Sequence, residues 1–345
     1  MTAERLTAID LFSGAGGLTL GLQQAGFTVL AGVEINPVAA QTYRLNHPNI
    51  KCFEQDICLL DSKEILRELN LKKGELDLLA GCPPCQGFST LRTRKKCNSL
   101  EDSRNELIYE YLRLVEDLLP KCIMLENVPA LAKDQRMEVF LNRIEELGYH
   151  IDSNSVQVED AADYGVPQRR KRMILKVARN LSVPHVEKVE KKITIREYFL
   201  IHGLKSAGGS GDPWHDYEQK RSPNVLKIIK NIPKNGGSRK DLPSSLVLEC
   251  HKNRPGQFGD VYGRMKWDDV APTITGGCNS PSKGRFLHPE EDRCITLREA
   301  ALLQTFPLDY KFPEVSQASV ALMIGNALPP ELIRRHALAF KSILI

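Results

Sequence analysis

The sequence predicts an α/β protein built on a doubly wound parallel sheet, with a second, smaller and loop-rich domain. Strand-like and helix-like segments alternate through the first half of the chain. A glycine-rich turn joins the first predicted strand to the first predicted helix, and Gly, Pro, Ser and Asn are dense between about residues 186 and 285. We therefore expect residues 1–185 together with 286–345 to form the sheet domain, and residues 186–285 to form the smaller domain.

The elements are predicted from short apolar runs and from helical periodicity between turn residues. Strands are predicted at residues 6–11, 28–34, 51–56, 76–80, 123–126 and 172–177. Helices are predicted at residues 18–24, 37–46, 105–119, 225–231 and 297–305, and again from residue 315 to the C-terminus. The early strands and helices alternate as βαβ units, which favours parallel pairing of the strands.

The composition is that of a globular protein. The 345 residues are 42% hydrophobic and 26% charged, which excludes collagen-like, disulfide-scaffold and disordered classes. No run approaches the ~18 apolar residues of a membrane helix, and the N-terminus lacks a signal-peptide pattern. Nine cysteines are too few for a stapled secreted domain. We therefore expect a cytoplasmic protein with reduced thiols and no membrane partner.

Positive charge is concentrated in the smaller predicted domain. The formal net charge of the chain is +4, but residues 186–285 hold 18 basic and 11 acidic residues, so the rest of the chain is slightly acidic. This asymmetry indicates a module that faces a polyanion, although a basic surface that only keeps the protein soluble would have the same composition.

The first glycine-rich turn indicates a nucleoside site. Residues 10–18 read D-L-F-S-G-A-G-G-L, which differs from a dinucleotide fingerprint because the last glycine would fall at Thr19. Glu34 ends the second predicted strand twenty residues after Gly14, where a carboxylate can bind both ribose hydroxyls. A purely structural turn is the alternative.

A second motif follows the strand predicted at residues 76–80. Residues 81–89 read G-C-P-P-C-Q-G-F-S, at the carboxyl edge where open α/β sheets bind ligands. Cys82 and Cys85 have the C-x-x-C spacing of a redox dithiol or half a zinc site, but there is no second such pair and no nearby pair of histidines. A lone nucleophilic thiolate at Cys85 fits the proline-stiffened turn better.

Charged residues flank two further apolar segments: Glu126 ends one, and Q-R-R-K-R opens the other. Glu126 ends the strand I-M-L-E, and a carboxyl at the end of a core strand favours a functional role. In Q-R-R-K-R, residues 168–172, Arg170 and Arg172 share one face of an extended chain. Two guanidinium groups there could hold an anion, a carbonyl oxygen or Glu126, whereas a plain basic edge is the alternative.

These motifs together resemble the cytosine-5 DNA methyltransferase family of bacteria, of the restriction-modification or solitary type. Six blocks occur in the family's order, namely D-L-F-S-G-A-G-G, P-P-C-Q, E-N-V, Q-R-R-K-R, T-L-R-E-A-A-L-L-Q-T-F-P at residues 296–307 and I-G-N-A-L-P-P at residues 324–330. A-P-T-I-T-G-G at residues 271–277 and G-R-F-L-H-P-E-E-D-R at residues 284–293 also resemble the family. Leu328 stands where the family often has Val.

The resemblance implies a Rossmann-like, S-adenosylmethionine-dependent methyltransferase sheet and a target-recognition domain at residues 186–285. It implies that Cys85 adds to carbon 6 of a cytosine, that Glu126 acts at ring nitrogen 3, and that Arg170 and Arg172 grip the ring carbonyl. It implies no metal. The cofactor residues carried over from the family are Phe12, Gly14, Gly16, Leu18, Glu34, Ile35, Asp56, Ile57, Pro84 and Asn326.

Double-stranded DNA is the partner that the resemblance implies, with the target cytosine flipped out of the helix. The basic segment at residues 89–102 resembles the family's mobile catalytic loop. The DNA-binding residues expected there and beside Cys85 are Gln86, Ser89, Arg92, Arg94, Lys95 and Lys96. We expect a monomer, and a companion restriction endonuclease acting on the same DNA site is compatible with the family.

Three other functions remain as alternatives. The first is an RNA cytosine methyltransferase, whose tRNA-acting relatives typically carry Cys-Phe-Thr, a tripeptide absent from this sequence. The second is a catalytically inactive DNA-binding relative, although such relatives tend to lose the nucleophile or the glutamate that this chain keeps. The third is a nicotinamide-dependent Rossmann enzyme.

Overall fold

The computed structural model describes residues 5–84, 106–252 and 259–345. The chain divides into two compact units. The sheet unit comprises Met1–Tyr164, Lys171–Lys188 and Leu328–Ile345, and the second unit comprises Gly165–Arg170 and Val189–Ala327. The second unit thus includes residues 189–285 of the predicted smaller domain and continues beyond them to Ala327.

The sheet unit is built on seven strands, which confirms the predicted α/β class. The strands are β1 (Thr7–Leu11), β2 (Thr28–Val33), β3 (Lys51–Phe53), β4 (Leu78–Gly81), β5 (Cys122–Asn127), β6 (Val156–Asp160) and β7 (Lys171–Ala178). Their order across the sheet is β3-β2-β1-β4-β5-β7-β6. Strands β1 to β5 pair in parallel, as predicted.

The last two strands depart from the predicted parallel sheet. Strand β7 pairs antiparallel with both β5 and β6. Only about ten residues join β6 to β7, and a link of that length between neighbouring strands suits antiparallel pairing, because a parallel crossover usually contains a helix. Strand β6 was missing from the prediction, since its two exposed or half-exposed apolar residues form no continuous apolar run.

Several helices of the sheet unit begin at a residue whose side chain caps them. Within the described residues, the helices of this unit are α1 (Gly17–Gln24), α2 (Pro37–Asn46), α3 (Ser62–Glu68), α4 (Leu107–Leu118), α5 (Gln135–Glu146) and, after the second unit, α11 (Pro330–Leu344). Asn36 caps α2 by accepting hydrogen bonds from the backbone N–H groups of Val38 and Ala39, with Pro37 at the first helical position. The apolar faces of α3, α4 and α5 join the strands in one core.

The C-terminal helix packs against the first helix. A Cβ atom added at Gly21 of α1 would lie 2.5 Å from the carbonyl oxygen of Pro330 and 2.6 Å from Cβ of Ile333. A side chain at position 21 would therefore push the two helices apart. Helix α11 thereby returns the end of the chain to the sheet unit.

The second unit is rich in loops, as its composition predicts. Its helices are α6 (Ile195–Ile201), α7 (Pro223–Asn231), α8 (Glu249–Lys252), α9 (Leu297–Leu303) and α10 (Gln317–Asn326). A small apolar core surrounds Ile229 of α7. The fully buried Arg264 donates hydrogen bonds to the carbonyl oxygens of Ile229 and Ile232. These bonds cap the end of α7, where the last carbonyl groups of a helix lack partners within the helix. No helix within the described ranges is long and apolar enough to cross a membrane.

Candidate active site

The predicted site residues of the sheet unit lie at one edge of the sheet. Strands β3, β2, β1, β4 and β5 are parallel neighbours, so their carboxyl ends meet at the same edge. The glycine-rich turn follows β1, Glu34 follows β2, Asp56 lies just beyond β3, Cys82 follows β4 and Glu126 lies at the end of β5. The fold therefore brings these cofactor candidates and the catalytic candidate Glu126 to one edge.

The glycine-rich turn after β1 has an unusual backbone conformation. Phe12, Gly14 and Gly16 have φ angles of 61°, 54° and 94°, in the left-handed region that glycine adopts readily. The backbone N–H of Gly14 donates a 2.8 Å hydrogen bond to Oε2 of Glu34. A Cβ atom added at Gly14 would meet no atom within 4 Å, so the space beside this turn is open. Such a turn can admit a ligand close to the main chain.

Glu34 links the turn to the start of helix α2. Its other oxygen, Oε1, accepts a 2.7 Å hydrogen bond from the backbone N–H of Asn36. Burial raises the pKa of the Glu34 carboxyl, although the N–H groups of Asn36 and Gly14 oppose that shift. The next residue, Ile35, is 63% exposed although it is apolar. A carboxylate beside an exposed apolar surface can accept hydroxyl hydrogen bonds while a flat ring packs on the isoleucine.

A buried polar chain supports the turn from behind, and sequence reasoning did not identify it. Asp10, which is fully buried in β1, accepts hydrogen bonds from the backbone N–H of Thr19 at 3.0 Å and from its hydroxyl at 2.7 Å. The Thr19 hydroxyl also lies 3.0 Å from the hydroxyl of Tyr43. Burial raises the pKa of Asp10 to about 7. The charged residue at the end of an apolar strand was the available signal.

His47 completes this support. It lies beside the ring of Tyr43, with ring centroids 4.9 Å apart, and it makes a hydrogen bond with the backbone of Gly16. Burial lowers the pKa of His47 to about 4, so the ring is neutral at physiological pH. The turn that faces the open space is thus supported by a neutral imidazole as well as by the Asp10 carboxyl.

The remaining cofactor candidates of the sheet unit differ in exposure. Asp56 is half-buried and accepts a hydrogen bond from the backbone N–H of Cys58. Leu18 and Ile57 are buried, and the carbonyl oxygen of Ile57 accepts a 2.8 Å hydrogen bond from Arg113 of α4. Pro84 is exposed. Asp56 and Pro84 can therefore reach a ligand with their side chains, whereas Leu18 and Ile57 mainly shape the wall behind it.

Glu126 is almost fully enclosed, with 2% of its surface exposed. The guanidinium Nε of Arg172 in β7 lies 2.8 Å from its Oε1, and the thiol of Cys82 donates to Oε2 at 2.7 Å. The Arg172 contact is an ion pair without hydrogen-bond alignment, so within the described residues Oε1 has no hydrogen-bond donor. That oxygen is the one left to interact with a ligand.

Asn127 connects the glutamate to the proline turn. Its side-chain amide donates a 2.9 Å hydrogen bond to the carbonyl oxygen of Pro83, and its own oxygen accepts from the backbone N–H of Val128. Pro83 comes two residues before Cys85 in the sequence. Asn127 therefore holds Pro83 in place, a contact indicated in the sequence only by its place in the E-N-V motif.

Two predicted site residues belong to the second unit. Arg170 is 3% exposed, and its guanidinium donates 3.1 Å hydrogen bonds to the carbonyl oxygens of Ile274 and Gly325. Asn326 is exposed at the end of α10. A Cβ atom added at Gly325 would lie 2.1 Å from the backbone nitrogen of Gly276, so the two segments meet backbone to backbone. Arg170 therefore stabilises this junction.

Two buried glutamines of the second unit join three of the recognised motifs. Gln168 donates a 2.9 Å hydrogen bond to the side-chain oxygen of Gln304, and its own oxygen accepts from the backbone N–H of Ile274. Gln304 in turn donates to the carbonyl oxygen of Ile324 at 2.7 Å. The motifs Q-R-R-K-R, T-L-R-E-A-A-L-L-Q-T-F-P and I-G-N-A-L-P-P thus meet in one hydrogen-bond network, which their separation in the sequence does not reveal.

Several predictions fall on residues outside the described ranges. These are the nucleophile Cys85 and the DNA-binding candidates Gln86, Ser89, Arg92, Arg94, Lys95 and Lys96. Across the three described ranges, no group of three or more His, Cys, Asp or Glu side chains is arranged to hold a metal ion.

Known proteins similar to this chain share one activity. The pattern described as C-5 cytosine-specific DNA methylase matches residues 6–342. Type II methylase M.HgiDII of Herpetosiphon aurantiacus is 39% identical over 97% of this chain and 95% of its own length. Type II methyltransferase M1.HphI of Haemophilus parahaemolyticus is 34% identical over 96% of this chain and 86% of its own.

Solved structures agree with this relationship. A DNA modification methyltransferase encoded within an E. coli prophage is 25% identical, has a TM-score of 0.70, and aligns over 98% of this chain and 99% of its own. The S. pombe Dnmt2 methyltransferase, at 20% identity and a TM-score of 0.64 over 99% of this chain and 100% of its own, shares the fold. The chain therefore belongs to the family of C-5 cytosine-specific DNA methylases and is an enzyme that methylates cytosine in DNA.

Proposed function

We propose that this protein transfers a methyl group from S-adenosylmethionine to carbon 5 of one cytosine within a specific duplex DNA sequence, through a transient covalent bond between Cys85 and the base. One observation carries the proposal. Glu126 is buried at the carboxyl end of β5, paired with Arg172, while the adjacent Asn127 holds Pro83 two residues before Cys85. The candidate acid and the segment that leads to Cys85 thus start from neighbouring strands, β5 and β4.

The nucleophile is needed because carbon 5 of cytosine is too electron-poor to attack a methyl donor. The Cys85 thiolate forms a bond to carbon 6, and the electron pair of the carbon 5–carbon 6 double bond moves into the ring. Carbon 5 would then take the methyl group, and the sulfonium–methyl bond of S-adenosylmethionine would break to leave S-adenosylhomocysteine. A base removes the carbon 5 proton, the sulfur–carbon 6 bond breaks, and the ring double bond returns as the thiolate leaves.

Glu126 stabilises the charge that this attack drives into the ring. Its carboxyl supplies or shares a proton at ring nitrogen 3 when Cys85 adds, and it recovers that proton when Cys85 leaves. Arg172 keeps the side chain of Glu126 in place through the 2.8 Å ion pair. The roles proposed for Arg170 at the ring carbonyl and for Asn326 at the cofactor rest on the family resemblance alone.

The glycine-rich turn and Glu34 fit the methyl donor. When bound, S-adenosylmethionine supplies a methyl group on a sulfonium, which is an electrophile. We assign its ribose hydroxyls to Glu34 and its adenine to the exposed side chain of Ile35 and to Asp56. The methionine portion would lie in the open space beside Gly14, where a Cβ atom would meet nothing within 4 Å. Each assignment uses a group that faces the carboxyl edge.

DNA recognition is assigned to the basic region at residues 186–285, with residues 86–96 contacting the strand beside the flipped base. A cytosine stacked in a duplex cannot present carbon 6 to a thiolate, so the base is extruded at a cost of a few kcal/mol. The chain's Type II relatives support a role in modification alongside a restriction endonuclease. We further propose that the enzyme acts as a monomer in the cytoplasm.

Bisulfite sequencing of a plasmid from cells that express the protein tests this function. We expect one cytosine of a short motif to resist bisulfite conversion completely in cells that express the wild-type protein. This resistance should be lost with the Cys85→Ser variant. Duplex DNA with 5-fluorocytosine at that position should trap a covalent adduct with the wild-type protein only. Transfer of labelled methyl groups to tRNA and none to duplex DNA would overturn the proposal in favour of an RNA methyltransferase.

A further inference from the structure

Cys82 is a second thiol at the active-site edge. Its Sγ lies 2.7 Å from Oε2 of Glu126 and donates a hydrogen bond to it. The residue is half-buried. Sequence spacing alone suggested a dithiol or a zinc ligand for this position, whereas the structure pairs its thiol with a carboxylate.

The sheet dictates this pairing. In the parallel register of β4 and β5, Gly81 lies opposite Leu125, so the next residues, Cys82 and Glu126, face each other just beyond the paired segment. The backbone N–H of Cys82 donates to the carbonyl oxygen of Leu11 in β1 at 3.3 Å. The residue after Cys82 is held by Asn127. The thiol is therefore fixed at the carboxylate by backbone contacts on both sides.

We infer that Cys82 is a positioning residue for methyl transfer, which acts by holding Oε2 of Glu126 so that Oε1 can serve the cytosine ring. This inference rests on the proposed function. Arg172 restrains Glu126 from β7 and Cys82 restrains it from β4, so the carboxyl is held from both neighbouring strands. A thiol is a weak donor. The Cys82 thiol can therefore orient the carboxylate of Glu126, and it competes only weakly with the proton that this carboxylate must carry during the reaction.

Removing the thiol should slow the chemical step and leave cofactor binding intact. For Cys82→Ala we expect the single-turnover methylation rate to fall about tenfold, the effect of losing one hydrogen bond to a charged group. The KM for S-adenosylmethionine should stay unchanged, because Cys82 contacts the glutamate rather than the glycine-rich turn. Cys82→Ser keeps a donor at the same place and should recover most of the rate. Cys52→Ala, at a half-buried cysteine of β3, is the matched control and should retain the wild-type rate.

A double-mutant cycle separates this role from a structural one. In a Glu126→Gln background the thiol no longer faces a carboxylate, so adding Cys82→Ala should change the residual single-turnover rate by less than twofold. If Cys82→Ala lowers the rate equally in both backgrounds, or if Cys82→Ser is as slow as Cys82→Ala, the inference is wrong while the proposed function stands. If Glu126→Gln alone leaves the rate unchanged, the catalytic role proposed for Glu126 fails instead.

Discussion

The buried carboxyl of Asp10 makes a prediction that can be worked through in numbers. Asp10 is fully buried behind the glycine-rich turn, and burial raises its pKa from the ordinary 3.8 to about 7. A pKa that is higher in the folded state means that the folded protein binds the proton more tightly. The associated stability is therefore fully present below pH 3.8 and is lost as the pH rises through 7. Raising this pKa from 3.8 to about 7 corresponds to about 4 kcal/mol of unfolding free energy.

Asp10→Asn should remove this dependence. The asparagine oxygen can still accept from the backbone N–H and the hydroxyl of Thr19, but the side chain no longer titrates. We expect the unfolding free energy of the wild type, relative to Asp10→Asn, to fall by about 4 kcal/mol between pH 4 and pH 8. Asn should consequently be the more stable residue at pH 8.

Urea denaturation at a series of pH values provides the test. Far-UV circular dichroism follows the secondary structure of both units, while the two tryptophans, Trp214 and Trp267, both belong to the second unit and report its unfolding separately. Asp117→Asn, on the surface of α4, controls for the loss of a charge. A stability difference between wild type and Asp10→Asn that is constant from pH 5 to pH 8 would refute the reasoning.

Three further predictions concern the same edge of the sheet. Arg172→Ala leaves the buried Glu126 carboxylate without its cation and should cost about 3–5 kcal/mol of unfolding free energy by urea denaturation, whereas Arg172→Lys should recover part of it. Gly14→Ala should cost about 1 kcal/mol for its left-handed backbone and weaken S-adenosylmethionine binding by calorimetry, and unchanged affinity would contradict the assigned cofactor position. The pKa of His47 is lowered from 6.5 to about 4, so the stability that this residue contributes is present above pH 6.5. The unfolding free energy should fall by about 3 kcal/mol as the pH drops to 4. His47→Gln should abolish this loss in denaturation curves.

The strand ends and the residues at them could be read from the sequence. The apolar runs that became β1, β2, β4 and β5 are bounded by turn residues, and a parallel βαβ order places their ends at one edge. This reasoning located Gly14, Glu34 and Glu126 before any contact was known. Such signals are local, since they depend on short apolar runs and on residues next to them in the chain.

The contacts that make these residues a site were decided by tertiary structure. An apolar run does not encode the direction of its strand, so the antiparallel β7, which brings Arg172 to Glu126, did not follow from the pattern. The pairing of Cys82 with Glu126 depends on the register between two strands about forty residues apart. The sequence by itself determined which chemical groups stand at the edge, because turns and strand ends are local. Only the folded sheet decided which of those groups touch, because strand register and direction are set by packing across the whole core.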